Sequence, residues 1–191
     1  MDVLYVDNHL LALNKPPGLL TQPSGTSEDN LEDRAKAWIK ANYHKPGAVF
    51  LEAVHRIDRP VAGVVLFART SKALSRLNEA MRRGDCEKIY LALVSGTLPD
   101  DHGVLNDWLL HGDHRADVVS AGAVSAKAAV LSYTVLRRSA GRSLLRIALG
   151  SGRYHQIRAQ LAHAGCPILG DHKYGSQERW LSPDGIALQH A

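Results

Sequence analysis

The sequence predicts an α+β fold, with a mixed, mostly antiparallel central sheet flanked by helices and loops. Three observations predict it. Segments of strand character outnumber helical ones, most connections are short enough for hairpins, and no βαβ unit repeats. The 191 residues are expected to form one domain, residues 1–191, long enough to bury a sizeable core.

Each element has a local reason. Val3 to Val6 and Leu10 to Asn14 are short apolar runs on either side of the turn-like Asp7-Asn8-His9. Lys15-Pro16-Pro17-Gly18 stops the second run, because proline lacks the donor a ladder needs. Ser27-Glu28-Asp29-Asn30 reads as a helix start, followed by Leu31, Ala35, Trp38 and Ile39 at helical spacing, with Pro46-Gly47 ending the unit. The continuous apolar run Gly63 to Ala68 suits a strand buried on both faces. Ser71 is the expected cap of a helix carrying Ala73, Leu74, Leu77, Ala80 and Met81, closed by Gly84.

Ile89 to Val94 is the next strand, and Val104 to Val119 a long hairpin with His111-Gly112-Asp113 at its tip. Ala126 to Leu136 and Leu144 to Leu149 are two more strands, joined through Ser139-Ala140-Gly141. Gly150-Ser151-Gly152 leads into a last helix from about Tyr154 to Ala164, stopped by Gly165-Cys166-Pro167.

Composition narrows the function classes. Hydrophobic residues make up 45% and charged residues 22%, a globular balance. No apolar run approaches the roughly 20 residues that span a bilayer, and neither a signal nor a transit peptide is recognised, so a cytoplasmic location is expected. The net charge is +4. Between His55 and Tyr90 eight Arg or Lys face four Asp or Glu, an excess equal to that of the whole chain. Such a local concentration fits a nucleic-acid partner. Cys86 and Cys166 belong to no CxxC pair and read as reduced thiols. His111, Asp113, His114 and Asp117 match no metal-ligand spacing and read as a polar hairpin tip.

Three constellations carry candidate chemistry. In His55-Arg56-Ile57-Asp58-Arg59-Pro60, a carboxylate between two arginines tends to stay ionised, on a loop just before a strand. A surface ion-pair cluster would have the same composition. Gly152-Arg153-Tyr154-His155-Gln156-Ile157-Arg158 enters the last helix, whose buried face is marked by Ile157, Leu161 and Ala164. Arg158 beside that face calls for a carboxylate, with Asp58 a candidate; a solvated basic helix start is the alternative. In Glu87 to Val94, alternation puts Tyr90 with Lys88 and Ala92, opposite Ile89, Leu91 and Leu93. Its ring is either a core aromatic or a surface for a ligand.

Together these segments resemble the RluA-like RNA pseudouridine synthases. His55 to Arg59 resembles that family's HRLDRxTSG, Glu87 to Val94 its KxYxAxV strand, and Gly152 to Arg158 with Leu161-Ala162-His163 its GRTHQIRxHLAH. Pro167 to Asp171 with Tyr174-Gly175 is similar to PIxGDxxYG, and Val3 to Gly18 to the opening DxxLLxxNKPxG. The resemblance implies isomerisation of uridine in structured tRNA or rRNA by base flipping, with neither metal nor organic cofactor, by a monomer whose partner is RNA. It implies Asp58 as the catalytic carboxylate, Arg158 as its ion-pair partner and Tyr90 stacking on the target base. Arg56 would enter the space left by the flipped nucleotide. Arg59, His55, Arg153, His155, Gln156 and Lys15 are expected as further RNA contacts.

Three departures stand out. Val61-Ala62 replaces the family's Thr-Ser, Tyr154 replaces its Thr before His, and the chain ends at Gln189-His190-Ala191, so that either the fragment is truncated or the sheet closes differently. No S4-type module is recognised, so target selection is expected from this domain or a partner. A non-catalytic RNA-binding member of the same fold is the main alternative. A carboxylate-dependent hydrolase would need a second acid near Asp58, which the sequence does not place.

Overall fold

A computed structural model describes residues 1–191. The strands are mostly antiparallel, with a parallel bridge between Leu20 and Asn30, and helices flank them, so the α+β class holds. The chain divides into two compact units, Met1–Cys86 with His190, and Glu87–Gln189 with Ala191.

In the first unit β1 (Asp2–Val6) turns into β2 (Leu10–Lys15) because the Asp7 carboxylate accepts the backbone N–H groups of His9 and Leu10, both at 2.7 Å. Those two bonds hold the Asp7 carboxyl below its ordinary range. β2 pairs antiparallel with β4 (Ala62–Ala68), from Leu10 opposite Ala68 to Lys15 opposite Gly63. The short β3 (Glu52–Ala53) lies against β4. Alternation sends Leu11, Leu13 and Lys15 of β2 inward with Val65 and Phe67 of β4. Val64 and Leu66 are half-buried, so β4 is one-sided rather than buried on both faces as expected.

Helix α1 (Leu31–Asn42) starts where Asn30 accepts the Asp33 N–H at 2.9 Å, and buries Leu31, Ala35 and Ile39. It ends at Asn42, before Pro46-Gly47, as His44 takes a positive φ of 49°. Helix α2 (Ser71–Arg83) is capped one residue earlier than expected, by Thr70, whose Oγ1 accepts the Ala73 N–H at 3.1 Å. Gly84 closes it in the left-handed conformation.

The second unit contains β5 (Ile89–Ser95), β6 (His102–His111), β7 (Ala116–Val119), β8 (Lys127–Ser139) and β9 (Arg142–Leu149), hydrogen-bonded in the order β5-β9-β8-β6-β7. The β6–β7 and β8–β9 pairs are the two hairpins read from the sequence, and all four pairings are antiparallel. Leu131, Leu145 and Ile147 are fully buried in this unit. Helix α3 (Gln156–His163) begins later than expected because His155, in the left-handed region at φ 51°, turns the chain into it. A 3-10 turn (His172–Tyr174) follows. The last strand, β10 (Leu188–His190), contributes Leu188 and Gln189 to the second unit and His190 to the first.

Gly63 shows how tightly the first unit is built. A Cβ there would lie 2.1 Å from the carbonyl oxygen of His190 and 2.6 Å from its nitrogen, and the φ is +120°. Only glycine lets the two backbones approach this closely.

Candidate active site

Asp58 is half-buried in the loop between β3 and β4. Its position is fixed through its neighbours. On one side, the buried Thr21 hydroxyl donates to the Ile57 carbonyl at 3.0 Å and accepts the Ile57 N–H at 3.3 Å. On the other, the Arg59 carbonyl accepts the Gly18 N–H at 2.8 Å and the Lys15 ammonium at 3.1 Å. The Asp58 carbonyl accepts the Val61 N–H at 3.0 Å, closing a turn over Arg59-Pro60. Backbone bonds on both flanks fix the main chain from which the carboxylate projects.

Lys15 has no exposed surface. Its three ammonium donors meet three carbonyls, those of Pro16 at 3.0 Å, Leu19 at 2.7 Å and Arg59 at 3.1 Å. Burial lowers its pKa to about 8, partly opposed by the negative charge of Asp58. Lys15, expected as an RNA contact, is fully buried here and ties the proline turn to the Asp58 loop.

The other residues of this loop separate into two kinds. Arg56 and Arg59 are exposed. Arg59 also braces the loop, donating from Nε to the Gly18 carbonyl at 2.9 Å and from Nη1 to Glu28 at 2.8 Å. His55 is half-buried, and its Nε2 accepts the Leu66 N–H at 3.1 Å, extending the β3–β4 ladder by a side chain. That bond places the ring proton on Nδ1.

In the second unit Tyr90 is 8% exposed on β5, opposite Ile147. Arg158 and Asp171 form a buried ion pair, with Nε to Oδ2 at 2.7 Å and Nη2 to Oδ1 at 2.8 Å. The two parallel bonds orient the guanidinium, which also lies 5.0 Å from the Tyr174 ring.

His155 and Gln156, expected as RNA contacts, are both buried. Gln156 accepts the Ser151 hydroxyl at 2.8 Å and the Arg153 N–H at 3.0 Å, and donates to the Val130 carbonyl at 3.0 Å. His155 Nδ1 lies 2.9 Å from the Tyr174 hydroxyl, which accepts the Ala116 N–H at 2.8 Å and donates to the Ala116 carbonyl at 3.2 Å. The hydroxyl has one proton for the Ala116 carbonyl and His155 Nδ1, so the direction of the His155 bond follows the imidazole tautomer. Burial, reinforced by the charges of Arg158 and Lys173, lowers the His155 pKa to about 3, so its ring is neutral at physiological pH. Arg153 remains exposed, donating to the Ala128 carbonyl at 3.0 Å.

Thr21, Asp171 and Tyr174 were not singled out as supports by the sequence reading. Thr21 gives no pattern signal. Asp171 and Tyr174 stood in a motif, and a buried arginine in want of a carboxylate was the clue to Asp171.

Residues 9–163 match the family model described as RNA pseudouridylate synthase. The chain is 33% identical over 190 residues to the dual-specificity RNA pseudouridine synthase RluA of Haemophilus influenzae, covering 96% of this chain and 81% of that protein. It is 36% identical over 194 residues to the ribosomal large subunit pseudouridine synthase C of Escherichia coli, covering 97% and 57%. To synthase D of Pseudomonas aeruginosa it is 32% identical over 184 residues, covering 94% and 55%. The chain thus spans a little over half the length of the last two relatives. Human RNA pseudouridylate synthase domain containing 4 has the same fold, with a TM-score of 0.82 at 23% identity over 98% of this chain and 81% of that one.

Proposed function

Since the chain belongs to the RNA pseudouridylate synthase family, we propose that it isomerises uridine in structured tRNA or rRNA to pseudouridine, with Asp58 as the catalytic carboxylate. The observation that carries this reading is the double clamp on the Asp58 loop, Thr21 on Ile57 and Lys15 on Arg59. A carboxylate on a main chain held from both sides meets the need for a preorganised reacting group.

The isomerisation breaks the bond from the sugar C1′ to N1 and forms one to C5; the C5 proton leaves, and N1, which keeps the electron pair of the broken bond, takes up a proton. An ionised carboxylate at the sugar serves as nucleophile or as base. The uridine must leave its stack, at a cost of a few kcal/mol. In this reading the exposed Arg56 offsets part of that cost by filling the vacated space. Tyr90 packs on the flipped base and assists removal of the C5 proton. Arg158, oriented by Asp171, completes the catalytic group. Arg59 and Arg153 meet phosphates, so affinity falls with salt. No helix is long and apolar enough to cross a membrane; we place the enzyme in the cytoplasm as a monomer, which sedimentation of the purified protein checks.

The test uses tRNA and rRNA transcripts labelled with tritium at uridine C5. The parent protein should release tritium and leave pseudouridine in the digested RNA. RNA binding without release would favour the non-catalytic alternative.

A further inference from the structure

Within the second unit, β7, α3 and the 3-10 turn enclose an open groove of about 490 Å³. The apolar part of its lining is Ala116 and Val118 from β7 and Ala159 and Ala162 from α3. Larger residues there would close the space. Tyr174 cannot swing in to fill it, since its hydroxyl is held at Ala116 and by His155. The groove is therefore preformed.

The rim is basic. Arg115 and Lys173 are permanent cations, His163 and His172 line the same opening, and Asp117 is the carboxylate among the lining residues. Arg115 Nε engages Asp117 at 2.8 Å with both side chains half exposed, while the guanidinium lies 5.1 Å from the Tyr174 ring. Lys173 donates one ammonium proton to the His114 carbonyl at 3.0 Å and has two more to give. The positive potential is felt below, where Lys173 helps keep His155 neutral. None of the rim residues belongs to the proposed catalytic group.

Cations around an apolar concavity suit a ligand with phosphates on its outside and ribose or base faces within. We propose that this groove seats a phosphodiester segment of the substrate RNA other than the target uridine, so that it contributes affinity and choice of RNA rather than chemistry. The proposal rests on the RNA-modifying reading above. An acidic peptide would satisfy the cations but leaves the apolar lining without a role.

The test compares Arg115→Gln/Lys173→Gln with a control of equal charge change at the exposed C-terminal end of α1, Lys40→Gln/Lys45→Gln. Binding to the labelled transcript is measured across a salt series, together with the single-turnover rate at saturating RNA. A third variant, Ala162→Leu, fills the groove without altering charge. The groove double variant should bind about tenfold more weakly at 0.1 M salt, with a salt slope lower by about two. Its rate at saturation should stay that of the parent, and Ala162→Leu should weaken binding with no loss of charge. A Kd and slope equal to the parent's in the double variant would overturn the proposal, even where the parent makes pseudouridine. So would competition by polyglutamate that is lost in the double variant while RNA affinity stays unchanged. If the parent binds RNA without turnover and the double variant still binds weakly, the groove stands and the catalytic reading fails.

Discussion

The loop around Asp58 and the turn into α3 are both short, polar and basic, yet they are built in opposite ways. In the first, the backbone is gripped and the arginines face outward: Thr21 and Lys15 hold the peptide groups of Ile57 and Arg59, while Arg56 and Arg59 are exposed. In the second, the side chains do the gripping. His155, Gln156 and Arg158 are buried, and their polar atoms engage Tyr174, Ser151, Val130 and Asp171. Side chains committed to the scaffold are costly to change. Side chains carried by a gripped backbone remain available to a substrate.

That contrast breaks first at Arg158. Arg158→Met leaves Asp171 buried without its bidentate partner, and breaking such a pair costs about 3–5 kcal/mol. The denaturant midpoint should fall accordingly; a midpoint equal to the parent's would mean that the pair does not hold the turn. Next is Lys15→Met, which strips three carbonyls of one donor and should cost roughly 2 kcal/mol while loosening the Asp58 loop. It also has a pH signature. With a folded pKa of about 8 against an ordinary 10.5, the unfolded chain holds a proton that the folded chain has shed between those values. Lys15 therefore makes stability rise with pH across that window, a rise that should be smaller in Lys15→Met by chemical denaturation.

His155 acts at the other end of the scale. Its folded pKa of about 3 lies below the ordinary 6.5, so the unfolded chain binds the extra proton and stability falls as pH drops from about 6.5 toward 3. His155→Gln should flatten that acid limb, and an unchanged limb would place the acid sensitivity elsewhere. The smallest effect on stability is expected at Arg56, where Arg56→Ala should stay within about 0.5 kcal/mol while turnover drops. A large loss of stability there would contradict the division between outward and scaffolding residues.

Much of the fold was legible, because alternation and turn residues report strands directly: both hairpins of the second unit lie where the sequence put them. The inward placement of Lys15 was legible too, since it continues the Leu11, Leu13 alternation of β2. Its charge argued for the surface, and three carbonyls prevailed over that preference. The start of α3 was misplaced because His155 takes a left-handed φ that side chains rarely adopt, fixed by its bond to Tyr174. Thr21 lies 36 residues before Ile57, and no local pattern forecasts such a partner. Motif order singled out Asp58, whereas its clamps emerge only in three dimensions.

The central claim is that Asp58 reacts while the rest of its loop holds it. Asp58→Asn keeps size and polarity but removes the charge, so it should stay folded and bind the transcript. Tritium release from uridine C5 should be abolished. Release by Asp58→Asn at the parent's rate, with the fold intact, would contradict the account.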